Sequence, residues 1–201
     1  MIIAPLRLGI AGLGTVGVGV LKMINKNASL ISLRTGRDVI VTAVSARSRS
    51  KDRGINLSGF AWENDPIALA MREDVDVFVE LMGGSDGPAK DATEAAIAAG
   101  KDVVTANKAM LAVHGQSLAL AAESAGQVIR FEAAVAGGIP VVKALTEGLA
   151  GNKINRVLGV MNGSCNYILT RMETSGLSYE DIFAEANALG YLEADPNLDV
   201  G

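Results

Sequence analysis

The sequence has very few of the residues that form disulfides and zinc sites. Its 201 residues include 1 cysteine, Cys165, and 1 histidine, His114. A lone cysteine cannot form an internal disulfide or a cysteine-based zinc site, and such sparing use of cysteine is typical of a reducing compartment. We therefore expect a cytoplasmic protein.

Long hydrophobic runs and basic patches are missing as well. No apolar stretch approaches the roughly 20 residues that a membrane-spanning helix needs. The first apolar run leads into a glycine motif rather than into a signal-peptide cleavage site. The formal net charge is −4 and aromatic residues make up 4% of the chain, so no basic stripe interleaved with aromatics is available to bind nucleic acid or an anionic membrane. A small molecule is the expected partner, with no nucleic acid and no membrane.

The chain is rich instead in small aliphatic residues and glycine. Hydrophobic residues make up 49% of it, and 23 residues are glycine. This mixture is typical of tightly packed α/β proteins. Since domains run to roughly 100–200 residues, the length allows one complete domain and part of a second.

Apolar runs alternate with helical patterns through the first two thirds of the chain. Predicted strands fall at Leu6–Ala11, 39–44, 76–81, 102–108 (a strand and loop) and 128–134. Predicted helices fall at Thr15–Lys26, 65–72, 89–99 and 116–125, with Asp65 as an N-cap and Gly100 and Gly126 at two C-terminal ends. The alternation predicts an α/β fold with a Rossmann-type, doubly wound parallel sheet, assigned to residues 1–132.

The pattern changes after residue 132. The sequence there predicts a helix opening at Pro140, a strand over 155–164, a helix after it, and a last helix capped by Ser178 and followed by Gly190. We assign residues 133–201 to the start of a second, α+β domain.

Three glycines stand between the first strand and the first helix, in GLGTVG. Gly12 and Gly14 let the backbone turn and approach a pyrophosphate, and Gly17 lets the helix lie against the strand. The helix start, at Thr15 and Val16, offers free N–H groups and a positive dipole. The strand-turn-helix context predicts dinucleotide binding; the alternative is a glycine turn needed for packing alone.

The end of the second strand indicates which dinucleotide binds. An NAD site normally has Asp or Glu there, but this strand ends in Ser45, Ala46 and Arg47, and Asp38 lies at the wrong end. Arg47, together with the neighbouring serines and Arg49, suits a 2′-phosphate. We predict NADP, with NAD as the second choice, while the alternative is that the charges of 47–53 form a solvated loop.

Four further stretches complete a recognisable order along the chain: VVTANKAML at 103–111, FEAAVAGGIPVVKAL at 131–145, MNGSCNYIL at 161–169 and ALGYLEADP at 188–196. Taken with GLGTVG, they resemble homoserine dehydrogenase over essentially the whole chain. The resemblance implies NADP-dependent interconversion of L-aspartate 4-semialdehyde and L-homoserine, in threonine, methionine and isoleucine biosynthesis. It also implies that residues 133–201 begin a substrate-binding and dimerisation domain, and that the full-length protein is a homodimer.

The resemblance also assigns roles to particular residues. Lys108 follows a predicted strand end, where open parallel sheets bind ligands, and an ammonium there can steady a carbonyl oxygen as it becomes an alkoxide. The matching lysine in the family lies beside nicotinamide and substrate, which makes Lys108 the expected catalytic residue. The implied cofactor-binding residues are Gly12, Gly14, Thr15, Val16, Gly17, Arg47, Thr105, Lys108 and Gly190. The implied substrate-binding residues are Gly163, Ser164, Glu193 and Asp199.

A monovalent cation site is implied next to Glu132. A carboxylate beside irregular backbone carbonyls is suited to hard cations, and the resemblance implies a sodium-type site formed by Glu132 with the backbone oxygens of Val135, Gly137 and Ile139. The residues alone favour the other interpretation, a hydrogen-bonded carboxylate at a strand end.

Two other functions remain open from the residues. Cys165 and His114 could form a thiol and base pair, as a thiol-dependent semialdehyde dehydrogenase requires, although Cys165 suits a small packed residue at a helix start. The second is a non-catalytic NADP-binding or dimerisation fragment. The family continues past DPNLDVG with an Asp and a Lys, so we expect a truncated chain that binds cofactor and does not turn over alone.

Overall fold

A computed structural model describes residues 3–159 and 162–192. The chain divides into two compact units, Met1–Gly148 and Leu149–Gly201. The first unit contains a six-stranded sheet with helices, and the second contains two packed helices. No helix in the described part of the chain is long and apolar enough to cross a membrane.

The sheet of the first unit is parallel throughout. Its strands are β1 (Leu6–Ala11), β2 (Val39–Ser45), β3 (Ala61–Glu63), β4 (Val77–Glu80), β5 (Asp102–Thr105) and β6 (Ile129–Arg130). They lie in the order β3-β2-β1-β4-β5-β6, and every neighbouring pair is parallel. The chain therefore starts in the middle of the sheet, builds outward to one edge and returns to build the other, which is the doubly wound arrangement.

Helices cover both faces of the sheet. In the first unit they are α1 (Thr15–Lys26), α2 (Ala28–Thr35), α3 (Pro66–Ala70), α4 (Pro88–Ala98), α5 (Lys108–Ala125), α6 (Glu132–Val135) and α7 (Val141–Lys143), followed by a π-helical turn (Ala144–Gly148). Strand β4 shows how the faces separate. Phe78 packs in a cluster with residues of α3, α4 and α5, whereas Val77 and Val79 pack with residues of α1. Burial on both faces explains why the central strands β1, β2 and β4 are mostly apolar.

Capping residues behave as the sequence predicts. The Asp65 carboxylate accepts a hydrogen bond from the Ile67 N–H at the start of α3. Gly100 and Gly126, just past the ends of α4 and α5, adopt positive φ values of 73° and 69°, which glycine tolerates without strain.

Several predicted elements are wrong in extent or type. The strand expected over 128–134 ends at Arg130, and Glu132–Val135 is helical. The helix expected from residue 116 begins at Lys108, eight residues earlier. Residues 155–159 contain no strand, and Gly163 begins a helix, so the strand expected over 155–164 is not formed in its described part. Strand β3 and helix α2 were not predicted.

The second unit is built on α8 (Gly163–Ser175) and α9 (Tyr179–Ala188). Ile168, Ile182 and Ala186 form its buried centre. The Tyr167 hydroxyl donates to Glu185 at 2.5 Å, and this carboxylate raises the pKa of Tyr167. Ser178 caps α9, as predicted, by accepting a hydrogen bond from the Asp181 N–H.

The amino-terminal edge of the sheet is held by an ion pair between β1 and the residue before β4. The Arg7 guanidinium donates to both carboxylate oxygens of Asp76, at 3.1 and 2.7 Å, and the Arg7 N–H donates as well, at 2.9 Å. These hydrogen bonds lower the pKa of Asp76. A lowered folded-state pKa contributes stability above the unfolded pKa of about 3.9, and this stability is lost as the pH falls through the folded pKa.

We therefore expect Asp76→Asn to lower the melting temperature at pH 7 by about 2–4 °C, the effect of roughly 1 kcal/mol for a partly exposed pair. The difference from wild type should shrink as the pH falls below about 4. Thermal unfolding across this pH range measures both effects, with Asp38→Asn as an exposed control at the same edge. A difference that stays constant at low pH would contradict the assignment.

Candidate active site

The carboxyl-terminal ends of five strands lie in one row. Ala11 of β1 is paired with Ser45 on one side and with Glu80 on the other. Beyond them, Ser45 is paired with Glu63 and Glu80 with Thr105. The loops that follow β1, β2, β4 and β5 therefore leave the sheet along one edge, where ligands of open α/β sheets bind.

The glycine turn after β1 is close-packed at two of its three glycines. Gly12 has φ of +99°, and a Cβ there would lie 2.3 Å from the Leu81 carbonyl oxygen. A Cβ on Gly17 would lie 1.9 Å from the Gly12 carbonyl oxygen. The Gly12 N–H donates to the Ser45 carbonyl at 2.9 Å, joining the turn to β2. Packing alone therefore accounts for two glycines.

Gly14 differs, because no contact among the described residues requires it to be glycine. A Cβ at Gly14 would have no heavy atom within 4 Å, and its φ of −79° suits any residue. Gly14 is exposed and caps α1, and Thr15 and Val16 are exposed in the first turn, which has no acidic side chain. The first N–H groups of a helix lack intrahelical acceptors. Open space beside exposed N–H groups and a positive helix end fits a pyrophosphate.

The loop after β2 is fixed to the glycine turn by an arginine. Arg53 donates through Nε to the Leu13 carbonyl at 3.1 Å and through its terminal nitrogens to the carbonyls of Lys51 and Ser48, at 2.9 and 2.7 Å. Its guanidinium also lies 5.8 Å from the centre of the Trp62 ring. Arg47 is exposed in this loop. The loop is thus an ordered structure beside the turn, and Arg47 is presented at its surface.

Glu80 is completely buried at the end of β4, with 0% exposure. One carboxylate oxygen accepts from the N–H groups of Met82 and Gly83, at 2.7 and 3.3 Å. The other accepts from the Thr105 hydroxyl at 2.6 Å. Glu80 thereby joins the loop after β4 to the end of β5.

Lys108 is the first residue of α5 and is exposed. The residue before it, Asn107, caps the helix by accepting from the Met110 N–H at 3.0 Å. The Asn107 amide also donates to the Gly84 carbonyl at 2.8 Å, and its backbone N–H donates to the Thr105 hydroxyl at 3.0 Å. The predicted site residues Thr105 and Lys108 therefore lie at the same edge as the glycine turn.

The single histidine, His114, lies inside α5. His114 lies 2.7 Å from Asp86, an exposed carboxylate in the loop after β4. The pKa of Asp86 is lowered, first by a hydrogen bond from the Ser85 hydroxyl and then by His114. This pair gives a second connection between α5 and the loop after β4.

The Glu132 carboxylate serves as a helix cap. Its two oxygens accept from the N–H groups of Val142 and Lys143, at 2.9 and 2.8 Å. Val135 ends α6, and the Ile139 carbonyl accepts from the Val141 N–H at 2.8 Å. Within the residues described, no group of three or more His, Cys, Asp or Glu side chains could hold a metal ion.

The second unit holds the remaining predicted site residues. Gly163 and Ser164 begin α8, and the Ser164 hydroxyl donates to the Tyr191 carbonyl at 2.6 Å. Gly190, with φ of 75°, immediately precedes Tyr191. This hydrogen bond brings the NGS and GYLE motifs together within the unit. Glu193 and Asp199 lie outside the described residues.

The strand order, the all-parallel sheet and the glycine turn before α1 define a Rossmann-type α/β protein. Two family models match the chain: one described as homoserine dehydrogenase, NAD binding domain, over residues 12–132, and one described as homoserine dehydrogenase over residues 140–201. The chain belongs to the homoserine dehydrogenase family.

Individual relatives agree with the family match. The chain is 47% identical to a homoserine dehydrogenase of Neisseria gonorrhoeae, over 98% of this chain and 45% of that protein. It is 44% identical to one of Pseudomonas aeruginosa, over 98% of this chain and 44% of that protein. The chain thus spans about half the length of the curated relatives it matches.

Solved structures show the same similarity. A homoserine dehydrogenase from Thiobacillus denitrificans matches with a TM-score of 0.89 and 42% identity, over 97% of this chain and 45% of that one. A hyperthermophilic archaeal homoserine dehydrogenase in complex with NADPH matches with a TM-score of 0.82 and 26% identity, over 97% of this chain and 64% of that one.

Two residues of this edge, Glu80 and Arg53, were not predicted as parts of the site. A signal for the first was available, because Glu80 ends an otherwise apolar run, DVFVEL, and a buried carboxylate needs partners. Arg53 carried no such signal, because the glycine-turn carbonyl that accepts from it, that of Leu13, lies 40 residues away in sequence.

Proposed function

We propose that this chain supplies the cofactor site and part of the substrate site of an NADP-dependent homoserine dehydrogenase, which interconverts L-aspartate 4-semialdehyde and L-homoserine. The observation that carries the proposal is Gly14, whose glycine identity no protein contact demands, at the sheet edge that also holds Lys108. The family match supports a nicotinamide cofactor, and the archaeal relative is described in complex with NADPH.

The chain's own residues act by binding and by charge. The N–H groups of Thr15, Val16 and Gly17 are placed to hold the pyrophosphate. When bound, the nicotinamide supplies the hydride that reduces the aldehyde carbon. The Lys108 ammonium holds the substrate carbonyl oxygen and stabilises the negative charge that develops on it.

The substrate end of the site is proposed from the second unit. Gly163 and Ser164 would offer a backbone N–H and a hydroxyl, Glu193 would bind the substrate ammonium, and Asp199 would complete the site. Support comes from the Ser164–Tyr191 hydrogen bond, which joins the motif of Gly163 and Ser164 to the motif that contains Glu193. Gly190, in the same turn, is proposed to contact the cofactor.

We also propose the organisation of the whole protein. Residues 1–132 form the cofactor domain and 133–201 begin the substrate-binding and dimerisation domain, which is supported by family models that end at 132 and begin at 140. The protein is proposed to act as a cytoplasmic homodimer in threonine, methionine and isoleucine biosynthesis.

A sodium-type ion at Glu132 is proposed to use the second lone pairs of oxygens that already accept N–H groups.

The direct test of the function is titration of the protein with NADPH and with NADH. Nicotinamide fluorescence reports binding, and aspartate 4-semialdehyde is then added to test for oxidation. Tight NADPH binding with oxidation on addition of substrate is the expected result for the complete protein. Binding without oxidation would support the alternative, a non-catalytic cofactor-binding module. Failure to bind either nucleotide would overturn the proposal. Loss of turnover on alkylation of Cys165 would favour the thiol-dependent enzyme instead.

The NADP preference is assigned to Arg47. We expect Arg47→Ala to weaken NADPH binding about 10- to 100-fold, the effect of losing one charge-assisted hydrogen bond of roughly 1.5–3 kcal/mol. NADH binding should be unchanged, because NADH has no 2′-phosphate. Arg34→Ala removes the same charge from an exposed position on α2, before β2 rather than after it, and should affect neither nucleotide. Equal weakening of NADPH and NADH would contradict the assignment.

A further inference from the structure

The buried Glu80 carboxylate completes a ring of hydrogen bonds between two loops at the carboxyl-terminal edge. Glu80 accepts from the Thr105 hydroxyl, which accepts from the Asn107 N–H. The Asn107 amide donates to Gly84, and the loop containing Gly84 returns to Glu80 through the Gly83 N–H. Every member of the ring is the last residue of β4 or β5 or lies in the loop that follows one of these strands.

This ring lies directly against the candidate catalytic lysine. Asn107 is both a member of the ring and the N-cap of α5, and Lys108 is the first residue of that helix. Any movement of Asn107 therefore moves the backbone of Lys108. A catalytic group must be held within a fraction of an ångström, and a misplacement of about 1 Å can cost roughly 100-fold in rate.

The carboxylate suits this position in a way that its amide does not. Glu80 offers only acceptors, and its three partners are all donors: the N–H groups of Met82 and Gly83 and the hydroxyl of Thr105. A glutamine has one acceptor side and one donor side. Turned one way, its NH2 group would face the N–H donors of Met82 and Gly83; turned the other way, it would face the Thr105 hydroxyl, which would lose the carboxylate to which it donates.

We propose that Glu80 is a positioning residue for Lys108, acting through Thr105 and Asn107. This inference rests on the catalytic role proposed above for Lys108. It differs from a packing role because the ring fixes the two loops to each other, whereas β4 itself is held by its pairing with β1 and β5.

The first experiment is site-resolved amide hydrogen exchange in Glu80→Gln, which does not depend on activity. The backbone N–H of Asn107, which donates to the Thr105 hydroxyl, should exchange 10-fold faster or more. The Gly12 amide, which donates to Ser45, should be unchanged. Unchanged exchange at Asn107 would overturn the proposal, and so would faster exchange that includes Gly12, since this would indicate general loosening of the sheet.

The second experiment is steady-state kinetics of the complete protein. Glu80→Gln should lower kcat about 10- to 100-fold, as loss of a supporting hydrogen bond does, with the KM for aspartate 4-semialdehyde and the Kd for NADPH within about 2-fold. Thr105→Val breaks the same ring at another point and should give a similar loss. The double variant should be no worse than the poorer single variant, because both remove one connection.

Glu63→Gln is the matched control, since Glu63 ends β3 in the same row and pairs with Arg72 instead. Its kcat should equal that of wild type. Additive losses in the double variant, or an unchanged kcat in both single variants, would overturn the proposal. A wild-type protein that turns over neither L-aspartate 4-semialdehyde nor L-homoserine would overturn the proposed function. The exchange measurements would still decide whether the ring holds Asn107.

Discussion

Gly14→Val is expected to weaken NADPH binding at least 100-fold in a protein that remains folded. The structure separates the two reasons for a glycine at this turn. A Cβ at Gly14 would meet no heavy atom of the described residues within 4 Å, so we expect valine to cost the fold only its poorer N-cap, about 1 kcal/mol or roughly 2–4 °C in melting temperature. The same side chain would occupy the space that the pyrophosphate must enter. NADPH binding is therefore lost while the fold is retained.

Two variants of the same helix make this result interpretable. Gly19→Val adds the same side chain at an exposed position of α1 where a Cβ would also meet nothing, and both binding and stability should be retained. Gly17→Ala places a methyl group 1.9 Å from the Gly12 carbonyl oxygen and should destabilise the fold by about 3 kcal/mol. NADPH fluorescence and thermal unfolding of all three variants are the measurements. Undiminished binding by Gly14→Val would show that the dinucleotide does not lie on this turn.

The sheet could be predicted from the sequence because its signals are local. β1 is a short, mostly apolar run before GLGTVG, and the observed bounds of both β1 and α1 are the predicted ones. Alternation of such runs with capped helices is sufficient to predict a doubly wound sheet. The predicted glycine, lysine and threonine positions also lie at the carboxyl-terminal edge for a local reason, since each ends a strand or follows a strand within a few residues.

The elements that were missed have weak or ambiguous local signals. β3 has only three residues, AWE, and lies at the sheet edge, where a long apolar run is not required. The stretch FEAAV can be read as a strand or as a short helix from its composition. Hydrogen bonds from Val142 and Lys143 to Glu132, 10 and 11 residues away, hold it in the helical form, and no local pattern encodes them.

The same distinction applies within the candidate site. The sequence shows which chemical groups stand after each strand, but it does not show which of them contact one another. Glu80 and Thr105 are 25 residues apart in sequence and 2.6 Å apart in space, because β4 and β5 are neighbours in register. The pairing of strands, rather than the residues nearby in sequence, creates the ring that holds Asn107.

Lys108→Ala is expected to lower turnover by at least 1,000-fold, consistent with about 4 kcal/mol of lost charge stabilisation in the transition state. A cation in the first turn of a helix is opposed by the helix dipole, and alanine is the better helix former. The variant should therefore be as stable as wild type or slightly more stable, and its NADPH binding should be nearly unchanged, because the glycine turn and Arg47 are proposed to hold the cofactor.

Measurements of turnover and of NADPH binding, together with two control variants, separate this role from a general effect of charge. Turnover of the complete protein is followed as NADPH oxidation with aspartate 4-semialdehyde, and binding is followed by fluorescence. Lys108→Arg keeps the positive charge but changes its shape and reach, so it should restore only part of the rate. Lys26→Ala removes the same charge from the last turn of α1, at the end of that helix away from the glycine turn, and should leave the rate unchanged. If Lys108→Ala turned over at the wild-type rate, Lys108 would have no part in the chemistry, and Glu80 would have no catalytic group to position. Lost stability or lost NADPH binding in that variant would instead assign the lysine to the fold or to the cofactor.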